Sequence, residues 1–559
     1  MDRIPEITVF EDGSKIWQQE FEAFVAKVYI PVTKQPADIV NFGFRAPYLM
    51  LFEENRMSLT EAKGFADKNG FAEIASEYAG SVVFFYPTCE GGWKNAPEDL
   101  YAQMIAQSRI SQYYQDGAAI MYDRFAKKMG RPYIRGAVLR TYLYGWGASA
   151  DYIARSCMHT IQGDGLYGPG DVTPAGVILN GVTGTNLPDA QRRDIPVVSI
   201  GNSKEFNEAL MATVDHLRIV ETADVKKDFY DFTGQFRRMV GHLEKEADLD
   251  RMGLICEPGF VTVKTAADNR GDDKDTKEHR IGYVAYYKKG IMDDERKAPL
   301  LFCFHGGGDS ALCMASVSGW YQVAARFGFL LICVENHLNS TATENMEMLG
   351  ILKKKYAIDE TRIYASGFSM GGCKSWDMMQ EYPKVFAAVA PMDATFEVGC
   401  NSYGEPVAGY NLDTRLPVFY AGGEITPLPE LPFQAQKCLD RMKYVLQVNG
   451  AKKTYEVKLE EKDGWENPIW GINGDCSVSL TNIERENSVL TLQLFDSTDG
   501  KCYSVFGSVS NQGHEVRHHT CENAWRFLSQ FRRLPDGSLE GGCSAQEYLE
   551  KLKKAELSL

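Results

Sequence analysis

The 559-residue chain lacks any apolar run long enough to cross a bilayer. Its longest, about Phe327–Val334, falls well short of the ~18 residues a spanning helix needs. The opening Met1-Asp2-Arg3-Ile4-Pro5 lacks the apolar core of a secretory signal, so the expectation is a cytoplasmic protein with no membrane partner. There is no surplus of positive charge. Sixty Lys and Arg against 75 Asp and Glu leave a net charge of −15, which argues against a general phosphate-binding surface and against nucleic acid as a partner. None of the 13 cysteines forms a CxxC pair, so neither a zinc ribbon nor a redox motif is expected. Cys303 and Cys333 lie in apolar strand-like runs and read as reduced, buried thiols. No segment is of low complexity. What remains is an ordinary globular balance, 44% hydrophobic and 24% charged, able to bury a sizeable core. At ~150 residues per domain, the length alone suggests about three or four units.

Internal repetition lowers that number. Arg45-Ala-Pro-Tyr-Leu-Met-Leu-Phe52 resembles Lys297-Ala-Pro-Leu-Leu-Phe-Cys-Phe304, each a proline-started, fully buried strand. Ile74-Ala75 pairs with Val323-Ala324, each leading into a β-rich run, Ser81–Tyr86 and Phe329–Val334. Arg140–Trp146 matches Arg362–Phe368, and Ile195-Pro196-Val197 matches Leu416-Pro417-Val418. Phe232–Met239 matches Phe527–Leu534, read as the final helix of each copy. The offsets are 252, 249, 222, 221 and 295, and the order is preserved throughout. The reading is two copies of one α/β domain, residues 1–252 and 253–559, meeting near 250–257. About 27 extra residues lie in the first copy, and about 74 in the second. In each copy short apolar strands alternate with amphipathic helices, as at Val385–Ala390, Thr343–Tyr356 and Ala435–Asn449. That alternation predicts a mostly parallel sheet flanked by helices.

Chemistry concentrates in the second copy. Gly367-Phe368-Ser369-Met370-Gly371 is a G-x-S-x-G pentapeptide between a strand, Arg362–Ser366, and a helix, Gly372–Glu381, stopped by Tyr382-Pro383. A sharp strand–turn–helix bend needs small flanking residues and pushes the serine hydroxyl out at the positive end of the helix. Upstream, His305-Gly306-Gly307-Gly308-Asp309 follows the strand Leu300–Phe304. An N–H of Gly307, or next of Gly308, together with that of Met370, would hold a developing oxyanion. Three histidines follow Ser369: His514, His518 and His519. His514 lies between the strand Cys502–Val509 and the helix Glu522–Phe531, where an imidazole reaches the serine; His518 and His519 read as helix start or solvent-facing. A metal reading of His514-x-x-x-His518 lacks a companion carboxylate motif, so no metal is expected.

The glycine loop at His305–Gly308, the elbow Gly367–Gly372, and Gly513-His514 ahead of Ala524-Trp525-Arg526-Phe527 resemble the α/β-hydrolase superfamily. Within it they are similar to the polyhydroxybutyrate depolymerase and feruloyl esterase branch. The resemblance spans roughly residues 258–535. It implies a serine carboxylic ester hydrolase that works through an acyl-enzyme, without cofactor, on aryl, acyl-sugar or short polyester esters. A serine peptidase or acyltransferase would share the fold, and a non-catalytic binding protein is the reading from another class. One position departs from the family. The aspartate expected in a G-x-x-D pattern after the strand Leu416–Ala421 reads Thr426, within Gly422-Gly423-Glu424-Ile425-Thr426. Glu424 is the preferred acid, Asp393 after the preceding strand the alternative, and Asp496 a weaker candidate.

In the first copy Gly147 falls opposite Ser369, and Glu53-Glu54 replaces His305-Gly306. No histidine except His216 lies between the strand at Ile195–Ile200 and Phe232. Ser149 as a shifted nucleophile would have Asp151 in place of the closing glycine. This copy is therefore expected to be catalytically dead, with Trp93 and Tyr113-Tyr114 either packing or touching substrate. In the second copy, alternation at Lys453–Leu459 and Val489–Phe495 predicts a β-rich insertion, about 447–501. Trp465, Pro468 and Trp470 lie on it, and its position just before the histidine loop makes it a candidate lid or acyl-pocket wall.

Overall fold

The computed structural model describes residues 5–34, 46–78, 80–108, 136, 140–158, 173–184, 193–239, 242–245, 249–264, 278–293, 296–307, 311–335, 340–481 and 487–556. Two compact units result, Met1–Asp248 and Leu249–Leu559.

The first unit is built on nine strands: β1 (Ile7–Val9), β2 (Lys15–Glu20), β3 (Phe24–Ile30), β4 (Tyr48–Phe52), β5 (Ser81–Pro87), β6 (Thr141–Trp146), β7 (Gly176–Asn180), β8 (Arg193–Ile200) and β9 (Val214–Val220). Their order in the sheet is β1-β2-β3-β5-β4-β6-β7-β8-β9. The edge from β1 to β5 is antiparallel, and from β5 to β9 every pairing is parallel. β4 is buried on both faces, which is why it reads as an unbroken apolar run. Its residues alternate between two cores. Tyr48, Met50 and Phe52 join one with Leu143 and Trp93, while Leu49 and Leu51 join the other with Phe71 and Tyr144. After the sheet comes a small hairpin of β10 (Phe236–Met239) and β11 (His242–Lys245).

The second unit has β12 (Leu254–Lys264), β13 (Glu278–Lys288), β14 (Ala298–Phe304), β15 (Leu330–Val334), β16 (Ile358–Phe368), β17 (Ala388–Met392), β18 (Val418–Gly423), β19 (Cys476–Thr481), β20 (Val489–Asp496) and β21 (Cys502–Val509). They run β12-β13-β15-β14-β16-β17-β18-β21-β20-β19. From β15 to β21 the pairing is parallel, and both ends are antiparallel. A hairpin of β22 (Phe531–Arg533) and β23 (Leu539–Gly541) follows, then a final helix, Ala545–Glu556.

Three sequence readings change. Phe527–Leu534 and Phe232–Met239 are not wholly helical, since Phe531–Arg533 and Phe236–Met239 are hairpin strands. Burial alternates along β22, and Arg533 turns inward to donate to the carbonyls of Phe386, Arg415 and Gly537. Lys453–Leu459 forms no strand, because β20 fills its antiparallel edges with β19 and β21. Trp470, read as part of a lid, is 1% exposed and packs on Tyr420 and Phe506 in the core. Among the described residues no helix is long and apolar enough to cross a membrane.

Candidate active site

Register sets the site. Phe304 at the end of β14 pairs with Gly367 of β16, and Phe368 with Met392 of β17. One residue on, Ser369 takes φ 54°, ψ −120°, and the helix Met370–Glu381 begins. A serine seldom adopts this left-handed region, and it is held there by its N–H donating to Met392 O at 3.0 Å. The flanking glycines are required. A Cβ on Gly367 would lie 2.2 Å from Gly371 O, and one on Gly371 would lie 2.0 Å from Phe304 O. The bend thus brings the hydroxyl to the N-terminus of the helix, where the peptide dipoles favour negative charge.

His514 follows β21. Its Nε2 lies 2.8 Å from Ser369 Oγ, and its ring packs on Phe368 at 4.6 Å. With Nε2 accepting from the hydroxyl, the ring proton belongs on Nδ1. Burial lowers the pKa of this imidazole, and the nearby Asp393 carboxyl opposes the shift.

The residue facing Nδ1 is Glu430, with Oε1 2.7 Å away, although off the line of an Nδ1–H bond. This corrects the preferred acid. Glu424 is half-buried and accepts instead from Ser508 Oγ at 2.8 Å. Asp496 accepts from Ala545 N and pairs with Lys452. Asp393 does enter the site: Asp393, Glu430 and His514 bring polar atoms within 4.8 Å of one another. Burial raises the Glu430 pKa to about 8, with the Asp393 carboxyl and Thr426 hydroxyl opposing. Asp393 is pushed well above the usual carboxylate range by burial first and then by the neighbouring Glu430.

Glu430 is held in this place by contacts within its loop, to the preceding strand and to the histidine loop. Between Gly423 and the helix Gln436–Val448 the loop holds three prolines and two carboxylates, Glu424 and Glu430. Gln434 Oε1 accepts from the N–H groups of Glu430 and Leu431, and Tyr420 OH donates to Glu430 O. Ile425 N donates to Gln512 O, tying this loop to the histidine loop. Thr426, in the expected acid position, instead supports Glu430.

Gly307 and Met370 are also brought together: a Cβ on Gly307 would lie 2.6 Å from Met370 Sδ. Gly308 lies outside the described residues. His305 is buried, with Nδ1 2.7 Å from Gly306 O and Nε2 3.5 Å from Glu335, and burial lowers its pKa to about 4. His518 lies 3.6 Å from Glu522. Among the described residues, Asp393, Glu430 and His514 are the one trio whose spacing would suit a cation. One Asp393 oxygen accepts from Gly423 N, and His514 turns Nε2 toward Ser369.

A mixed sheet with a parallel centre, a strained serine after a central strand, and a histidine after a later strand decide the fold. The second unit has the α/β-hydrolase fold. No family model matches the chain. The chain is similar to a bifunctional acetylxylan esterase/xylanase of Neocallimastix patriciarum, 25% identical over 243 residues. That match covers 42% of this chain, which spans about a third of the relative's length (31%). Solved structures that resemble the chain include an acetyl xylan esterase from Aspergillus awamori, 11% identical with a TM-score of 0.31, covering 48% of this chain and 99% of that one. A thermostable esterase is 23% identical with a TM-score of 0.24, over 37% of this chain and 57% of that one.

The first unit has a bend of the same backbone shape. Phe52 pairs with Gly145, and Gly147 stands at φ 53°, ψ −120°, its N–H donating to Asn180 O at 3.0 Å. A Cβ on Gly147 would lie 2.4 Å from Glu54 Oε1. Ser149 is no shifted nucleophile, since it is fully buried and donates to Phe52 O. Asp151 accepts from Thr183 and Gly184. His216, on β9, pairs with Pro196 and packs at a tilt against Phe236. Glu53 forms a buried ion pair with Lys27. Trp93 is buried, stacking on Phe52 at 4.8 Å, and Tyr113-Tyr114 lie outside the described residues.

Proposed function

We propose that the second unit is a serine carboxylic ester hydrolase, with Ser369 as nucleophile, His514 as general base and Glu430 as the acid member. The observation that carries this is the 2.8 Å contact between Ser369 Oγ and His514 Nε2 at a strained elbow. Ser369 attacks the ester carbonyl while His514 takes its proton. The carbonyl oxygen becomes an oxyanion facing the N–H groups of Gly307 and Met370. Glu430 stabilises the imidazolium, which then protonates the leaving alcohol. Water repeats the sequence on the acyl-enzyme and releases the acid. Among aryl, acyl-sugar and short polyester esters, the acetylxylan esterase relative supports an acyl-sugar.

The first unit, in this reading, is a second copy of the same domain that kept the fold and lost the nucleophile, base and glycine loop. Support comes from the shared order β3-β5-β4-β6-β7-β8-β9 and β13-β15-β14-β16-β17-β18-β21, and from the matching backbone at Gly147 and Ser369.

A fluorophosphonate probe, mapped by mass spectrometry, tests the assignment. Labelling at Ser369, abolished in Ser369→Ala, is expected, together with hydrolysis of 4-nitrophenyl acetate. Failure of both overturns the reading. A panel of acetylated xylo-oligosaccharide, feruloyl ester and hydroxybutyrate oligomer ranks the substrate classes. Faster turnover of a peptide, or transfer to an added alcohol over water, would favour a peptidase or acyltransferase.

A further inference from the structure

Two carboxyls, not one, stand behind His514, and they come from different strands. Asp393 directly follows β17; Glu430 comes from the loop after β18. Asp393 is 2% exposed and Glu430 3%. Asp393 stands at φ 44°, a conformation rarely adopted outside glycine and kept here by Asp393 N donating to Ala421 O. One of its oxygens accepts from Gly423 N at 2.7 Å. Glu430 presents Oε1 to His514, while its Oε2 is buried without a hydrogen bond. A buried carboxylate oxygen without a donor is costly, and two adjacent buried carboxylates repel each other. One proton held between them relieves both problems.

We propose that Asp393 is a positioning residue: its carboxyl keeps a proton and donates it in a hydrogen bond to Glu430, holding the Glu430 carboxylate against Nδ1 of His514. The inference rests on the esterase reading of Ser369 and His514. Glu430 remains the acid member, and the two carboxyls together carry one proton and one negative charge. In the acylation step the serine proton moves to Nε2. Glu430 carries the charge that stabilises the imidazolium, and Asp393 retains its proton throughout. Burial raises both carboxyls, which accords with a shared proton. The other titratable groups acting here are Tyr420 and Cys438, both raised by burial and neutral in the working range, and Lys437, whose charge favours the ionised form of Glu430. Because the three groups interact, their titrations are properties of the set.

Asp393→Asn, Asp393→Ala and Glu430→Gln separate the roles. Asparagine keeps a donor toward Glu430 but cannot ionise. It should retain kcat within about threefold of the parent, with an unchanged pH profile. Alanine loses the donor. It should lower kcat about 10–100-fold and move the acidic limb of kcat/KM to higher pH, because the charged form of Glu430 loses support. Glu430→Gln should lower kcat about 10³–10⁴-fold, as loss of an acid member does. If Asp393→Asn falls as far as Glu430→Gln, Asp393 is itself the ionised acid and the proposal is wrong. An Asp393→Ala enzyme with parental kcat and pH profile also overturns it.

Titration of the His514 imidazole by NMR needs no substrate, so it decides the matter even if the esterase reading fails. Glu430→Gln should lower that pKa by about one unit or more, while Asp393→Asn leaves it within about half a unit. The reverse pattern overturns the proposal. Fluorophosphonate labelling of the parent at Ser369 reports separately on the esterase reading.

Discussion

The buried ion pair of the first unit offers a demanding test of how that unit is held together. Lys27 Nζ lies 2.9 and 2.8 Å from the two oxygens of Glu53, and both side chains are completely buried. Burial raises the Glu53 pKa, and Lys27 opposes the shift. In Lys27→Met the carboxyl keeps its desolvation cost and loses its paired cation, with only the weaker influence of Arg56 and a backbone N–H opposing. Breaking a buried pair costs ~3–5 kcal/mol. At ~2–4 °C per kcal/mol for a domain of this size, the melting transition of the first unit should fall by about 6–20 °C. Scanning calorimetry at pH 7 reads this. The double replacement Lys27→Met/Glu53→Leu removes both charges and should recover most of the loss. The pH dependence has a definite sign. Without Lys27, the folded-state pKa of Glu53 rises further above its unfolded value near ~4.3. The folded unit then prefers the protonated form, so the deficit is largest above the folded pKa. It shrinks as pH falls toward the unfolded value. A Lys27→Met deficit below about 1 kcal/mol, or a double replacement as damaged as the single, would refute the reasoning.

Glu424→Gln should leave kcat within about threefold in a 4-nitrophenyl ester assay, because its carboxylate binds Ser508 and not His514. Gly371→Ala should abolish probe labelling at Ser369 and lower the melting temperature of the second unit, since the new methyl meets backbone oxygens of Phe304 and His305 at 2.0 and 2.6 Å. Gly147→Ser should produce no label at position 147 in a mass-spectrometric map and should cost the first unit ~1–3 kcal/mol by denaturation, the usual penalty for a side chain at positive φ.

Legibility in the sequence followed locality. The elbow was readable because a five-residue pattern between a strand and a helix determines its own geometry. His514 was readable because few histidines follow Ser369 and one sits directly beyond a strand. The fully buried strands, Tyr48–Phe52 and Ala298–Phe304, announce themselves as apolar runs behind a proline. Glu430 was not readable in this way. Its position depends on Gln434 gripping two backbone N–H groups, on Tyr420 holding its carbonyl and on Ile425 joining the histidine loop. No periodicity encodes such contacts. The available signal was narrower: the loop before Gln436 contains just two carboxylates, and its prolines extend the path between them. Lys453–Leu459 misled for the related reason that alternation permits a strand but supplies no partner.

The residues ahead of β21 in the second unit add two strands, β20 and β19, beyond it in the sheet. In the first unit β9 ends the sheet, half of it open to solvent and studded with Asp215, His216 and Arg218. Such charges guard an unpaired edge against unwanted pairing. In the second unit β21 is buried along its whole length, with β18 on one side and β20 on the other. An edge strand can fray; an interior strand must break two ladders to move. The histidine therefore springs from the interior of a ten-stranded sheet, and its placement beside the serine inherits that sheet's stiffness.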